Sequence, residues 1–129
     1  MSERRNPPIR TERIDTAHAA LLDPDATDFL ERMQAIVCET TRAQILRALR
    51  VTTLTVTELT LVLDCSKWTA SRHLRTLRES GLVRAQRRGR YVSYRLGGGP
   101  IVEAALAALE AVEATTRENH ASLESTGGS

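Results

Sequence analysis

Aromatic side chains make up only 3% of this 129-residue chain: one Trp, two Tyr and one Phe. The core must therefore be aliphatic, and a single-strand binder that stacks successive bases on ring platforms is disfavoured. Cysteine is confined to Cys38 and Cys65, too few and too far apart for a disulfide scaffold or a zinc finger. No apolar run approaches the roughly 20 residues that span a bilayer, and the opening MSERRNPPIRTER holds no secretory h-region. No Gly-rich phosphate loop and no Ser/His/Asp arrangement is present, so no catalytic residue, cofactor or enzymatic activity is expected. These absences together predict a cytoplasmic protein without membrane contact, its thiols reduced. Lysine is scarce too: all but one of the 18 basic residues are Arg, whose forked donors suit phosphates and guanine edges.

The positive charge is concentrated. Residues 66–96 read SKWTASRHLRTLRESGLVRAQRRGRYVSYRL and hold nine basic residues against Glu79 alone, a local charge of +8. The whole chain carries +2, so the remainder sums to −6. Charge localised in this way is an electrostatic footprint for a polyanion.

Residues 1–22 read as a flexible arm, with Pro7 and Pro8 in a polar stretch, Arg4, Arg5, Arg10 and Arg13 as its cations, and a short helix over 14–22. Asp23-Pro24 opens the next helix, Asp23 as cap and Pro24 at its first position, with Phe29, Leu30, Met33, Ile36 and Val37 as the apolar face. A helix over 39–50 follows, carrying Ile45, Leu46 and Leu49. Thr55-Val56-Thr57-Glu58 has capping-box spacing and starts a short helix carrying Leu59, Val62 and Leu63. Ser66 caps a helix over 66–79 that ends at Ser80-Gly81, Gly81 taking the left-handed position. Two alternating runs, Val83 with Ala85 and Val92 with Tyr94 and Leu96, form strands joined at Arg87-Arg88-Gly89-Arg90. Gly97-Gly98-Gly99-Pro100 precedes an Ala-rich helix over 101–120 presenting Ile101, Ala105, Ala108, Leu109, Val112 and Thr116, and 121–129 reads as a disordered tail. The order α-α-α-α-β-β-α, after the short N-terminal helix, predicts a mainly α fold with a two-stranded β-wing (α+β): a winged helix-turn-helix. Its DNA-binding and dimerisation domain is expected over 23–120.

Within helix 66–79, Ala70, Leu74 and Leu77 share the core stripe. Lys67, Trp68, Thr69, Ser71, Arg72, His73 and Arg75 are the candidates for contact with double-stranded DNA, with Arg87, Arg88 and Arg90 at the hairpin tip. Arg72 and Arg75 have the reach for guanine O6/N7 or a phosphate. Trp68 fits either a half-buried core position or a ring against a DNA sugar or thymine methyl. His73, next to the core stripe, fits either a packed ring bonded to backbone or a phosphate or base contact.

Residues 32–96 resemble the ArsR/SmtB family of small bacterial winged-helix repressors. Glu39-Thr40-Thr41-Arg42-Ala43-Gln44-Ile45-Leu46 is similar to that family's DPTRxxIL, and Ser66 with Ser71-Arg72-His73-Leu74 to its S-x-x-x-x-S-x-H-L. Leu77-Arg78-Glu79-Ser80-Gly81-Leu82-Val83 is similar to LREAGLV, and residues 88–96 to REGRxVxYRL. The resemblance implies a homodimer joined through its first and last helices, an operator of two-fold symmetry, and repression relieved by an inducer. The chain departs from the family at the metal sites. Thr55 and Thr57 stand where thiolates of the ELCVCDL motif would be, and threonine hydroxyls are poor ligands for soft metals. The last helix has only His120, and His120 with Glu124 does not close a zinc site. No metal ligand is expected at either usual site, while a composite site using His18 of a partner's arm stays open. Two other signal routes remain open. One is an effector-bearing protein partner. The other is a redox response of Cys38, near the start of the second core helix, and Cys65, in the turn beside Lys67.

Overall fold

The computed structural model describes residues 7–127, with side chains from 7 to 123. Arg4 and Arg5 of the expected arm, and the side chains of the expected tail beyond Leu123, lie outside these residues. The elements are α1 (Thr11–Ala19), α2 (Pro24–Val37), α3 (Thr40–Val51), β1 (Leu54–Thr55), α4 (Val56–Leu63), α5 (Lys67–Glu79), β2 (Val83–Arg88), β3 (Tyr91–Leu96) and α6 (Pro100–Gly127). This is the expected winged helix with two additions. A two-residue strand, β1, pairs with β3 in the register Leu54↔Tyr94 and Thr55↔Ser93, so the sheet has three antiparallel strands in the order β1-β3-β2. The last helix also continues through Gly127 rather than ending at His120.

The chain divides into two compact units after Leu30, within α2 rather than ahead of Asp23. The reason lies in which side chains are buried. Asp23 caps α2 as expected, its Oδ1 accepting the Ala26 N–H at 2.7 Å, but Phe29 and Leu30 on its first half are exposed. In the first unit α1 buries no residue and runs three residues earlier than the pattern suggested. From Met33 onward α2 turns inward: Ile36 is buried, and Met33 and Val37 pack against the core of the second unit.

That core is aliphatic throughout. Ile45, Leu46 and Leu49 of α3 meet Leu59 of α4 and Leu74 and Leu77 of α5, with Leu82 and Val83 from the base of the wing. Burial of each large side chain stabilises the fold by about 1.5–3 kcal/mol. Val62 of α4 and Ala85 of β2, unlike Leu59 and Val83 of the same elements, are exposed. In α6 the buried residues are Val102 and Ala105, with Ile101, Leu106 and Leu109 partly covered and Val112 exposed. The Ala/Leu/Val sequence of α6 is apolar on several faces, and only packing selects the one through Val102. Arg47 and Arg50 of α3 pair with Glu113 and Glu110 of α6; at these partly exposed positions the pairs add modestly to the apolar contact.

The joints that aim α5 are made locally. Thr55 and Glu58 form a reciprocal capping box at the start of α4. Asp64 ends α4 in the left-handed region (φ 52°), a conformation that Asp tolerates better than most residues. Ser66 then caps α5 by accepting the Thr69 N–H at 3.0 Å. At the far end Leu82 N–H bonds to Leu77 O, and Gly81 N–H to Arg78 O. These two bonds are a Schellman motif, with Gly81 at φ 79°. Two buried leucines, Leu77 and Leu82, clamp it.

Candidate nucleic-acid interface

The spacing that buries Ala70, Leu74 and Leu77 leaves Lys67, Trp68, Ser71, Arg72, Arg75 and Arg78 exposed along α5. Trp68 is 71% exposed, which removes the core reading of this residue. The Arg72 guanidinium lies 5.2 Å from the centre of its ring, within range of a cation–π contact. The helix therefore displays an aromatic plane and a fork of donors as one unit. Thr69 is half-buried, and its hydroxyl is bonded to Ser66 Oγ at 2.9 Å, so it serves the cap.

The hairpin is tighter than the sequence suggested. Arg88 pairs with Tyr91, leaving only Gly89-Arg90 as the loop. Gly89 has φ +61°, as the first position of a two-residue type II′ turn requires. Arg87 and Arg88 thus belong to β2 and Arg90 to the tip, all three exposed. Arg84 stands directly opposite Arg95 across the two strands, a like-charge pairing that is unfavourable in isolation and relieved by a polyanion.

Two grooves join these elements, and both include residues that periodicity did not single out. One, of about 460 Å³, is lined by Trp68, Ser71, Arg72, Leu74, Arg75 and Arg78 of α5 together with Tyr94 of β3. The other brings Arg90, Tyr91 and Val92 of the wing to Lys67 and the first turn of α4. Tyr91 and Tyr94 were missed as site residues because alternation reports which face of a strand they occupy and not which helix that face meets.

The cations of this surface are clustered and unpaired; Arg10, Arg13 and Arg32 are unpaired too but stand apart from one another along α1, its cap and α2. Arg47, Arg50 and Arg117 are each paired with a glutamate. Among the described residues, Lys67, Arg72, Arg75, Arg78, Arg84, Arg87, Arg88, Arg90 and Arg95 take part in none of the ion pairs. A row of unneutralised cations on a helix and its adjoining hairpin is matched to a phosphate backbone.

His73 corrects the candidate set. Its ring is 3% exposed and is off the face that Arg72 and Arg75 occupy. Nor does it bond to backbone: Nδ1 accepts the Arg42 Nε–H at 3.1 Å and lies 3.6 Å from the Glu39 carboxylate, while Nε2 is 3.4 Å from the Arg72 guanidinium. Glu39 in turn caps α3 by accepting the Arg42 N–H at 2.8 Å, and Arg42 also donates to the Ala35 carbonyl. Burial holds the His73 pKa below the ordinary 6.5; Glu39 opposes this, and Arg72 and Arg42 reinforce it. For Glu39, burial is outweighed by the backbone N–H groups of Arg42 and Thr41 and by the neighbouring positive charges, so its pKa lies below 4.5.

Both shifts have the same sign for stability. The unfolded chain takes up these protons at higher pH than the folded one, so the stabilisation is complete above the unfolded pKa and is lost on acidification. The urea midpoint is expected to fall as pH drops from 7.5 through 5.5, with the Glu39 contribution lost only below about 4.5. In His73→Asn the upper part of this decline should vanish; a wild-type midpoint constant over that window would contradict the assignment.

Both thiols lie where the sequence puts them along the chain, Cys38 just ahead of the α3 cap and Cys65 in the turn before α5. Cys38 follows α2, its N–H bonded to Gln34 O, so it sits at the C-terminal end of that helix while Glu39 provides the α3 cap. Cys38 is exposed and Cys65 half-buried in the turn between α4 and α5. His18 and His120 are exposed, and among the described residues no three His, Cys, Asp or Glu side chains converge as a metal site. No helix there is long and apolar enough to cross a membrane.

The profile of bacterial regulatory proteins of the arsR family matches residues 39–85, from the α3 cap into β2. No curated protein matches the chain in sequence. Among solved structures, Mb0332 from Mycobacterium bovis, a homodimeric winged helix-turn-helix DNA-binding domain described as a possible ArsR-family transcriptional regulator, is 28% identical. It superimposes with a TM-score of 0.61 over 82% of this chain and 94% of its own. HlyU from Vibrio cholerae is 26% identical, with a TM-score of 0.60 over 67% of this chain and 94% of its own. The transcriptional repressor BigR from Xylella fastidiosa, at 23% identity and a TM-score of 0.56 over 74% and 90%, shares the fold.

Proposed function

We propose that this chain, which matches the arsR-family profile over residues 39–85 and resembles a homodimeric winged helix-turn-helix domain in structure, is a regulator of that type and acts as a homodimeric repressor on a two-fold symmetric operator. The observation that carries the reading is the concentration on α5 and the wing of nine basic residues, none of them in an ion pair, against Glu79 alone. In this reading Lys67, Ser71, Arg72 and Arg75 enter the major groove with Trp68 beside them, and Arg87, Arg88 and Arg90 lie along the backbone or the adjacent minor groove. Dimerisation is supported by the homodimeric state of Mb0332 and by the exposed Ile14, Leu21 and Leu22 of the first unit and Val112 and Leu123 of α6. Two protomers would place their α5 helices about 34 Å apart, one turn of duplex.

The protein in this reading does not sense metal through the usual family positions. Thr55 and Thr57 replace the thiolates, and the Thr55 hydroxyl is already committed to the Glu58 N–H.

Duplexes selected by the protein from a random pool test the proposal by anisotropy titration. A palindromic half-site pattern and two protomers per duplex are expected; a pool with no enrichment would overturn the reading. Arg88→Ala and Arg90→Ala should each flatten the slope of log K against log salt by about one unit, uniformly across sequences. Zn(II), Cd(II) or arsenite should leave affinity unchanged, and release by any of them would overturn the metal-independent part.

A further inference from the structure

The buried cluster behind the recognition helix presents a conflict that only proton placement resolves. A neutral imidazole has one acceptor nitrogen and one N–H. Both nitrogens of His73 face arginine donors: Arg42 Nε–H at 3.1 Å from Nδ1, and the Arg72 guanidinium at 3.4 Å from Nε2. They cannot both accept. If Nδ1 accepts from Arg42, then Nε2 carries the proton and Arg72 finds no acceptor in the interior. If Nδ1 instead carries the proton, facing Glu39 Oε2 at 3.6 Å, then Nε2 is free to hold Arg72 back against the protein.

We infer that His73 is the positioning residue for Arg72: Arg42 fixes the imidazole as its Nε2–H tautomer, which denies Arg72 a buried acceptor and leaves its guanidinium displayed over Trp68 for DNA. Three observations favour this arrangement. The Arg42 bond, at 3.1 Å, is the shorter of the two contacts. Arg42 is anchored by its own side-chain bond to the Ala35 carbonyl, and Glu39 caps the same turn, so this donor is held in place. Arg72 already has an outward partner in the Trp68 ring. The start of α3 thereby sets the state of a DNA-facing side chain on α5, although neither Glu39 nor Arg42 is among the residues read as DNA contacts. A tautomer preference acts as a selector because the ring is 3% exposed and water cannot substitute for either arginine.

The inference rests on the DNA-binding reading, and two measurements keep the two apart. The first uses the free protein. Ring ¹⁵N–¹H correlation spectra at pH 8 should show His73 with a protonated Nε2 and an unprotonated Nδ1, and Arg42→Met should shift it toward Nδ1–H. The second uses a duplex selected by the wild type, compared with a scrambled duplex of equal length. His73→Asn, which keeps an acceptor near the Nδ1 position, should retain the specificity ratio within about threefold. His73→Gln, which offers a carbonyl near the Nε2 position, and Arg42→Met should each lower it by about tenfold, approaching the loss in Arg72→Ala. An Nδ1–H ring in the wild type, or equal ratios for the Asn and Gln variants, would overturn the inference. Should any variant be unfolded by circular dichroism, the wild-type tautomer decides alone. Failure of the wild type to select any duplex would overturn the DNA reading and this one with it, whereas normal selection with the wrong tautomer overturns only this one.

Discussion

Arg72→Ala and Arg75→Ala are each expected to reduce affinity for a selected duplex by about 1–3 kcal/mol while changing affinity for scrambled DNA much less. Both side chains are exposed on α5, and the helix that carries them is held at both ends, by the Ser66 cap and by the Schellman motif at Gly81. Its inner face is locked by Ala70, Leu74 and Leu77, each 1% exposed or less. A fork on so rigid a support can meet a guanine edge at low entropic cost. If the two residues touched only phosphate, the losses would be uniform across sequences and the salt slope would fall instead. The two sites are one helical turn apart and share the groove with Trp68, so the double variant should fall short of the sum. Measurement of both variants on selected and scrambled duplexes at two salt concentrations separates base reading from backbone contact.

Gly97→Ala is expected to destabilise the fold by about 3 kcal/mol, toward the upper end for overpacked positions. A Cβ at Gly97 would lie 2.3 Å from the Gly81 carbonyl oxygen, and that oxygen cannot retreat. Gly81 is fixed by the motif that ends α5, and Gly97 is itself drawn in by its N–H bond to Leu82 O at 2.8 Å. The collision is between two backbones at the base of the wing, so no side-chain rotation relieves it. Gly98→Ala is the control: nothing lies within 4 Å of the added methyl, and little change is expected. Urea unfolding of both variants gives the comparison; equal midpoints would show that the wing base accommodates a side chain.

Much of the fold was legible because its signals are local. The Thr55/Glu58 capping box, the Ser66 cap, the Gly81 stop and the Gly89 turn each depend on a few neighbouring residues, and all four stand as the sequence predicts. The inner stripes of α3 and α5 were equally legible, because aliphatic residues there alternate with charged ones at helical spacing. Strand β1 was not, since two residues carry no periodicity and become a strand only when β3 supplies the ladder. Val62 and Val102 show the same limit. Each lies on a helix apolar on more than one face, and the choice of buried face is made by the neighbours.

At the candidate site the division is sharper. Sequence alone determined where the positive charge is concentrated, which elements carry it and where those elements begin and end, because charge and capping are written within a few residues of one another. Tertiary structure decided what each side chain there is free to do. It buried His73 between two arginines, turned Trp68 outward beneath Arg72, and brought Tyr94 of the wing to the groove of α5. These arrangements join residues up to 31 positions apart, a distance over which spacing and propensity carry no information and only the packed core fixes who meets whom.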